Sequence, residues 1–195
     1  MSLNYLYHYQ DEAVPFQERK MTETVVAPEF ERTHLFGGTF SGAFADVTLR
    51  GEFGYSTDRY FVTRDLADAD GVVKTSEFGS VLGLDYNGID DLLISAQVFG
   101  SFLGDHPDGI VRDRVEGRAS LLIERTFLND ILAARILVVS SLNDGDGLIQ
   151  FDLPYNLRSN VVLKLGADVF YGARDGLFGQ FGDADRVTFG VEIGF

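Results

Sequence analysis

The chain has 195 residues, 45% of them hydrophobic, no cysteine and no tryptophan, and 30 acidic against 16 basic side chains, a formal net charge of −14. The missing cysteines exclude disulfides and thiolate-held metals, and the acidic balance argues against a nucleic-acid partner, which needs a basic face. The length suits a single domain over residues 1–195. No stretch approaches the roughly 18 uninterrupted apolar residues of a spanning helix; the best, Ile131 to Val139, carries Arg135 near its middle.

Alternation of apolar with polar or small residues predicts ten strands in chain order, over 2–9, 33–44, 47–63, 76–86, 91–103, 113–127, 131–141, 147–155, 160–172 and 185–195. Met1 leads into the first of these without a secretory leader, so the sequence is expected to be a mature or trimmed form. Four connections are tight and rich in turn formers: Ala45-Asp46, Asn87-Gly88-Ile89-Asp90, Leu128-Asn129-Asp130 and Asn156-Leu157-Arg158-Ser159. Between them lie longer polar connections at 10–32, 64–75, 104–112, 142–146 and 173–184. Short turns at one end and long loops at the other are the plan of an outer-membrane barrel. An even strand number places both termini at the short-turn end, the periplasmic one.

The two faces of these strands differ in chemistry. On the apolar face, aromatics stand at both ends. Phe44, Tyr86, Phe127, Tyr155 and Phe195 close the strands at the short-turn end, and Tyr9, Phe36, Tyr55, Phe78, Phe102 and Tyr171 stand at the other. Between them the face is aliphatic or small, with Leu49, Leu82, Ile94, Val98, Leu121, Ile136 and Leu165. Two aromatic rims around an aliphatic band match the interfaces and hydrocarbon layer of a bilayer. A soluble β-sandwich, the alternative architecture, turns its apolar face inward and has no reason to place rings at both rims. The opposite face carries Arg50, Glu52, Asp85, Gln97, Glu116, Arg118, Glu124, Arg135, Asp152, Lys164, Asp168 and Glu192. In a barrel these line the lumen, where charges of both signs pair across neighbouring strands.

The last strand, Val187 to Phe195, alternates and ends on an aromatic. It resembles the closing strand of bacterial outer-membrane barrels, which implies the barrel-assembly machinery as a partner beside the lipid bilayer and lipopolysaccharide. The segments 83–88, 105–114 and 142–148, with Leu165-Gly166-Ala167-Asp168-Val169-Phe170-Tyr171-Gly172 and Gly176-Leu177-Phe178-Gly179-Gln180-Phe181, resemble the C-terminal part of a family of large outer-membrane barrels of unknown function. That family is associated with uptake of hydrophobic compounds. Its members are longer, so the resemblance implies a C-terminal piece or a shortened form of a larger barrel.

Other chemistry is thinly represented. The three histidines, His8, His34 and His106, have no serine-bearing motif beside them, so a hydrolase triad is not expected. Asp68-Ala69-Asp70-Gly71 with Glu77 matches part of a calcium loop, but Leu66 occupies the first ligand position. Asp144-Gly145-Asp146-Gly147 is similarly incomplete, and turns favour Asp and Gly without any ion. The sequence therefore predicts an all-β, antiparallel up-and-down transmembrane β-barrel of about ten strands in the bacterial outer membrane. It would be non-enzymatic and without cofactor or metal: a narrow porin-like channel for hydrophobic or small solutes, or a structural or engineered barrel with a plugged lumen.

Overall fold

The computed structural model describes residues 1–20 and 22–194, with Arg19 described by its backbone alone. Among the described residues there are twelve strands and one short 3-10 turn at Gly179–Phe181. The strands are β1 (Ser2–Tyr9), β2 (Val14–Arg19), β3 (Thr24–Glu29), β4 (Arg32–Phe44), β5 (Val47–Val62) and β6 (Val72–Ile89). They continue with β7 (Leu92–Leu103), β8 (Val115–Phe127), β9 (Leu132–Ser141), β10 (Gly147–Arg158), β11 (Val161–Tyr171) and β12 (Arg186–Ile193).

Ten strands form one antiparallel up-and-down sheet in the order β1-β4-β5-β6-β7-β8-β9-β10-β11-β12, and β2 and β3 form a separate hairpin. The sheet is open, with β1 and β12 as its two ends. The ten predicted segments correspond to its ten strands. The hairpin is a correction: residues 10–32, expected as a loop, contain β2 and β3. Its alternation is hidden by Pro15 and Pro28, which face each other across the pair.

Two turns also move. Strand β6 runs on to Ile89, and the chain reverses at Asp90-Asp91, where Asp91 has φ 60°. Strand β10 runs on to Arg158. The turn formers Asn87 and Asn156 are drawn into pairing instead: the Asn87 N–H donates to Asp46 O and the Asn156 N–H to Ile131 O. The other two tight turns fall where expected, with Ala45 at φ 49° and Leu128, Asn129 and Asp130 at 57°, 55° and 64°.

The chain divides into two compact units, one of 1–40, 51–81 and 100–116, the other of 41–50, 82–99 and 117–195. In the first, a small core gathers Val14, Val72, Leu103 and Ile110 with Thr33, Thr63 and Thr75. The hairpin is tied in here. The Gln17 N–H donates to Asp70 O at 2.7 Å, the Gln10 side-chain amide donates to Asp58 O at 3.0 Å, and the Phe16 ring meets Tyr60 edge-on at 5.6 Å.

The second unit has no buried hydrophobic side chain among the described residues; its buried polar side chains are Ser95, Ser141 and Asp146. Its strands instead expose Leu82, Leu84, Val98, Leu121, Ile123, Ile136, Ile149, Leu165 and Val169. Strand β12 is barest, with Val187 76% and Phe189 73% exposed. A sandwich would bury such residues against a second sheet. Among the described residues this unit has no sandwich core.

Candidate functional site

In the second unit the strand registers decide which side chains share a face. Glu124 on β8 stands opposite Arg135 on β9, which stands opposite Asp152 on β10. Asp152 faces Gly166 on β11, and Gly166 faces Thr188 on β12. Asp168, two residues along, faces Gln150 on one side and Arg186 on the other. These residues are direct or alternate neighbours, so they lie on one polar face. Ile136, Phe151, Ala167 and Val187 are also mutually in register and form the apolar face.

The polar face is laced with ion pairs. Arg135 Nε donates to Glu124 Oε2 at 2.7 Å, and its Nη2 lies 2.6 Å from the same oxygen. Asp168 accepts from the Gln150 amide at 2.9 Å and from the Arg186 Nε, and Lys164 donates to Glu192. Arg50 reaches Asp85 at 2.8 Å. Gln97 lies against Gly83, where a Cβ would stand 3.4 Å from the glutamine Cγ. Arg118 is opposite Ser141 on this face.

The first unit holds a denser cluster. Glu77 accepts from Ser101 Oγ and from Arg112 Nη1, both at 2.7 Å, and its other oxygen lies 3.4 Å from Arg59 Nε. Arg112 also reaches Glu116 at 3.2 Å. Arg59 and Arg112 also line a cavity of about 380 Å³, with Gln10, Val14, Pro15 and Phe61 among its other walls.

Of the predicted lining residues, the structure brings together Arg50 with Asp85, Glu124 with Arg135 and Asp152, and Lys164 with Glu192. It adds Arg59, Ser101, Arg112, Gln150 and Arg186, which were not expected. Arg59 escaped for a definite reason. Arg50 and Arg59 are nine residues apart on β5 and so of opposite parity, whereas their partners Asp85 and Glu77 are eight apart on β6 and share one parity, so strict alternation does not group Arg59 with Arg50. Glu52 keeps the parity of Arg50 and is exposed.

The aromatics at strand ends occupy the exposed side. Phe44, Tyr55, Phe78, Phe102, Phe127 and Tyr155 are all exposed, Phe44 at 69%. Tyr86 and Tyr171 are half-buried, and Tyr171 lies over Gly147. Tyr9 and Phe36 belong to a ring cluster on β1 and β4. Phe195 lies outside the described residues.

The histidines do not converge. His34 is in register with Tyr7, whereas His8 is in register with Thr33, which puts the two on opposite faces of the β1–β4 pair. The His106 Nε2 contacts Arg112 O at 2.7 Å. The acidic loop between β5 and β6 is spent on its own backbone. Asp68 Oδ1 accepts from the N–H groups of Asp70 and Gly71, Asp70 Oδ1 from Val72, and Asp65 Oδ1 from Ala67. Burial pushes the Asp68 carboxyl up, but these N–H donors outweigh it and hold the group below the usual carboxylate range. Among the described residues no three His, Asp or Glu side chains are grouped to hold a metal.

No family model, curated protein or solved structure matches this chain.

Proposed function

We propose that the chain is a transmembrane β-barrel of the bacterial outer membrane that acts as a narrow passive channel for small or hydrophobic solutes. One observation carries this reading. The second unit exposes its apolar face and has no buried hydrophobic side chain among the described residues, while its opposite face is tied by ion pairs. In water such an arrangement leaves a large apolar surface uncovered; in a bilayer, lipid supplies the cover and the paired charges face inward. The aromatics at both strand ends and the alternation of short and long connections support the same reading. So does the resemblance to large outer-membrane barrels.

Closure would pair β12 with β1, which run in opposite directions because the sheet has ten strands. Barrels of about eight strands are filled by their side chains and those of about 16 leave an aqueous channel, so ten predicts a constricted lumen. The ion pairs of Arg50, Arg135, Asp168 and Lys164 support a second reading, a structural barrel whose lumen is plugged. Conductance across a planar bilayer after verified insertion separates the two. A channel gives discrete steps whose size changes in Arg135→Gln; a plugged barrel is silent, and the substitution alters stability alone.

A further inference from the structure

On β1 and β4 three cross-strand pairs lie on one face: Tyr5 with Phe36, Tyr7 with His34 and Tyr9 with Arg32. All three tyrosines are exposed, as is Phe36. The Arg32 guanidinium sits over the Tyr9 ring at 4.3 Å and beside that of Tyr7 at 5.1 Å. His34 stacks on Tyr7 at 4.7 Å, and its Nδ1 is 2.9 Å from the Tyr5 hydroxyl. Among the described residues no carboxylate pairs with Arg32. Its charge is held by the ring faces of Tyr7 and Tyr9 and by hydrogen bonding to the same two side chains, which are neutral and so leave the cation uncompensated. Where the Tyr5 hydroxyl donates to Nδ1, the imidazole proton resides on Nε2, a second donor.

We infer that this cluster binds the phosphate of a lipid headgroup. The inference rests on the membrane reading above and goes further by naming a ligand and its residues. The cluster joins a tyrosine-anchored guanidinium, without a carboxylate partner among the described residues, to an apolar face, and a phosphate headgroup joined to acyl chains is complementary to both. Arg recognises phosphate by its planar fork. Tyrosine and arginine are the side chains that anchor at a membrane interface. Arg32 follows the long connection and opposes the last residue of β1, which places it at the long-loop end of the strands. The net charge of −14 repels anions at a distance, but over ~8 Å of Debye length in physiological salt the local cation decides.

The test refolds the full chain, wild type and Arg32→Gln, into vesicles of phosphatidylcholine alone and of phosphatidylcholine doped with phosphatidic acid. Insertion is scored by heat-modifiability, and bound lipid by native mass spectrometry after extraction. Both proteins are expected to insert into neutral vesicles. The wild type is expected to retain phosphatidic acid over phosphatidylcholine, and Arg32→Gln to lose about fivefold of that preference, the weight of one cation at a membrane surface. Should Arg32→Gln not insert, Arg32→Lys keeps the charge without the fork and is expected to lose part of the preference. Equal retention by wild type and variants after insertion overturns the proposal. Displacement of the lipid by inorganic phosphate alone shows a free-phosphate site and overturns the lipid assignment. A wild type that inserts into no vesicle fails the membrane reading itself, a result distinguishable from loss of lipid preference.

Discussion

Glu124 and Arg135 stand directly opposite each other on β8 and β9, and two guanidinium nitrogens reach one carboxylate oxygen, Oε2, at 2.7 and 2.6 Å. The next residue across, Asp152 on β10, faces the same arginine. One cation thus stands between two acids on three adjacent strands.

Arg135→Gln leaves Glu124 and Asp152 facing each other without that cation. The expected cost is about 1 kcal/mol, the upper end for ion pairs that remain partly solvated. Adding Glu124→Gln should recover part of it, since the second charge no longer lacks a partner. Urea unfolding of the two single variants and the double variant in micelles reads the coupling; strictly additive effects would remove the pair from the account.

The two faces of β7 should answer oppositely to the same charge. Val98→Arg puts a guanidinium on the exposed apolar face, where a bilayer midplane site costs about 2–4 kcal/mol. Gln97→Arg puts it on the polar face beside Gly83 and should be tolerated. Refolding yield into vesicles measures both. Equal yields contradict the assignment of faces.

Ala45 turns the chain between β4 and β5 at φ 49°, a left-handed conformation that costs an L-residue with a Cβ roughly 1–2 kcal/mol. Ala45→Gly removes that cost and is expected to stabilise the protein by about 1 kcal/mol. A raised urea midpoint with unchanged slope would bear this out; a lowered midpoint would show that the turn differs.

Much of the fold is legible in the sequence because a one-sided strand needs alternation, and each of the ten sheet strands has it. The hairpin of β2 and β3 was not legible, because Pro15 and Pro28 interrupt the pattern and read as loop residues. The polar pairs Glu124–Arg135 and Lys164–Glu192 join residues already placed on one face by parity. Arg59 and Arg112 were not found, since Arg59 has the opposite parity to Arg50 on β5 and a loop carries Arg112. The separation of His8 from His34 follows from register, which sequence distance alone does not supply.

Asp68 gives the acid-side prediction. Its carboxyl is held below the ordinary range, so its contribution to loop stability is fully present above the unfolded value of about 3.9 and is lost as pH falls through the lower folded value. Asp68→Asn removes that dependence. Carbon-13 titration of the side-chain carboxyl should show a midpoint below that of a free aspartate. A midpoint at or above it would mean that the Gly71 and Asp70 N–H groups do not hold the anion.

The most direct test of the central claim is heat-modifiability of the refolded chain with and without detergent. The chain is refolded from urea in each condition, and unheated and boiled samples are compared on an SDS gel. An exposed apolar face closed into a barrel predicts a compact, fast-migrating unheated band that forms only with detergent and disappears on boiling. A chain that folds cooperatively in water without detergent would contradict the membrane barrel.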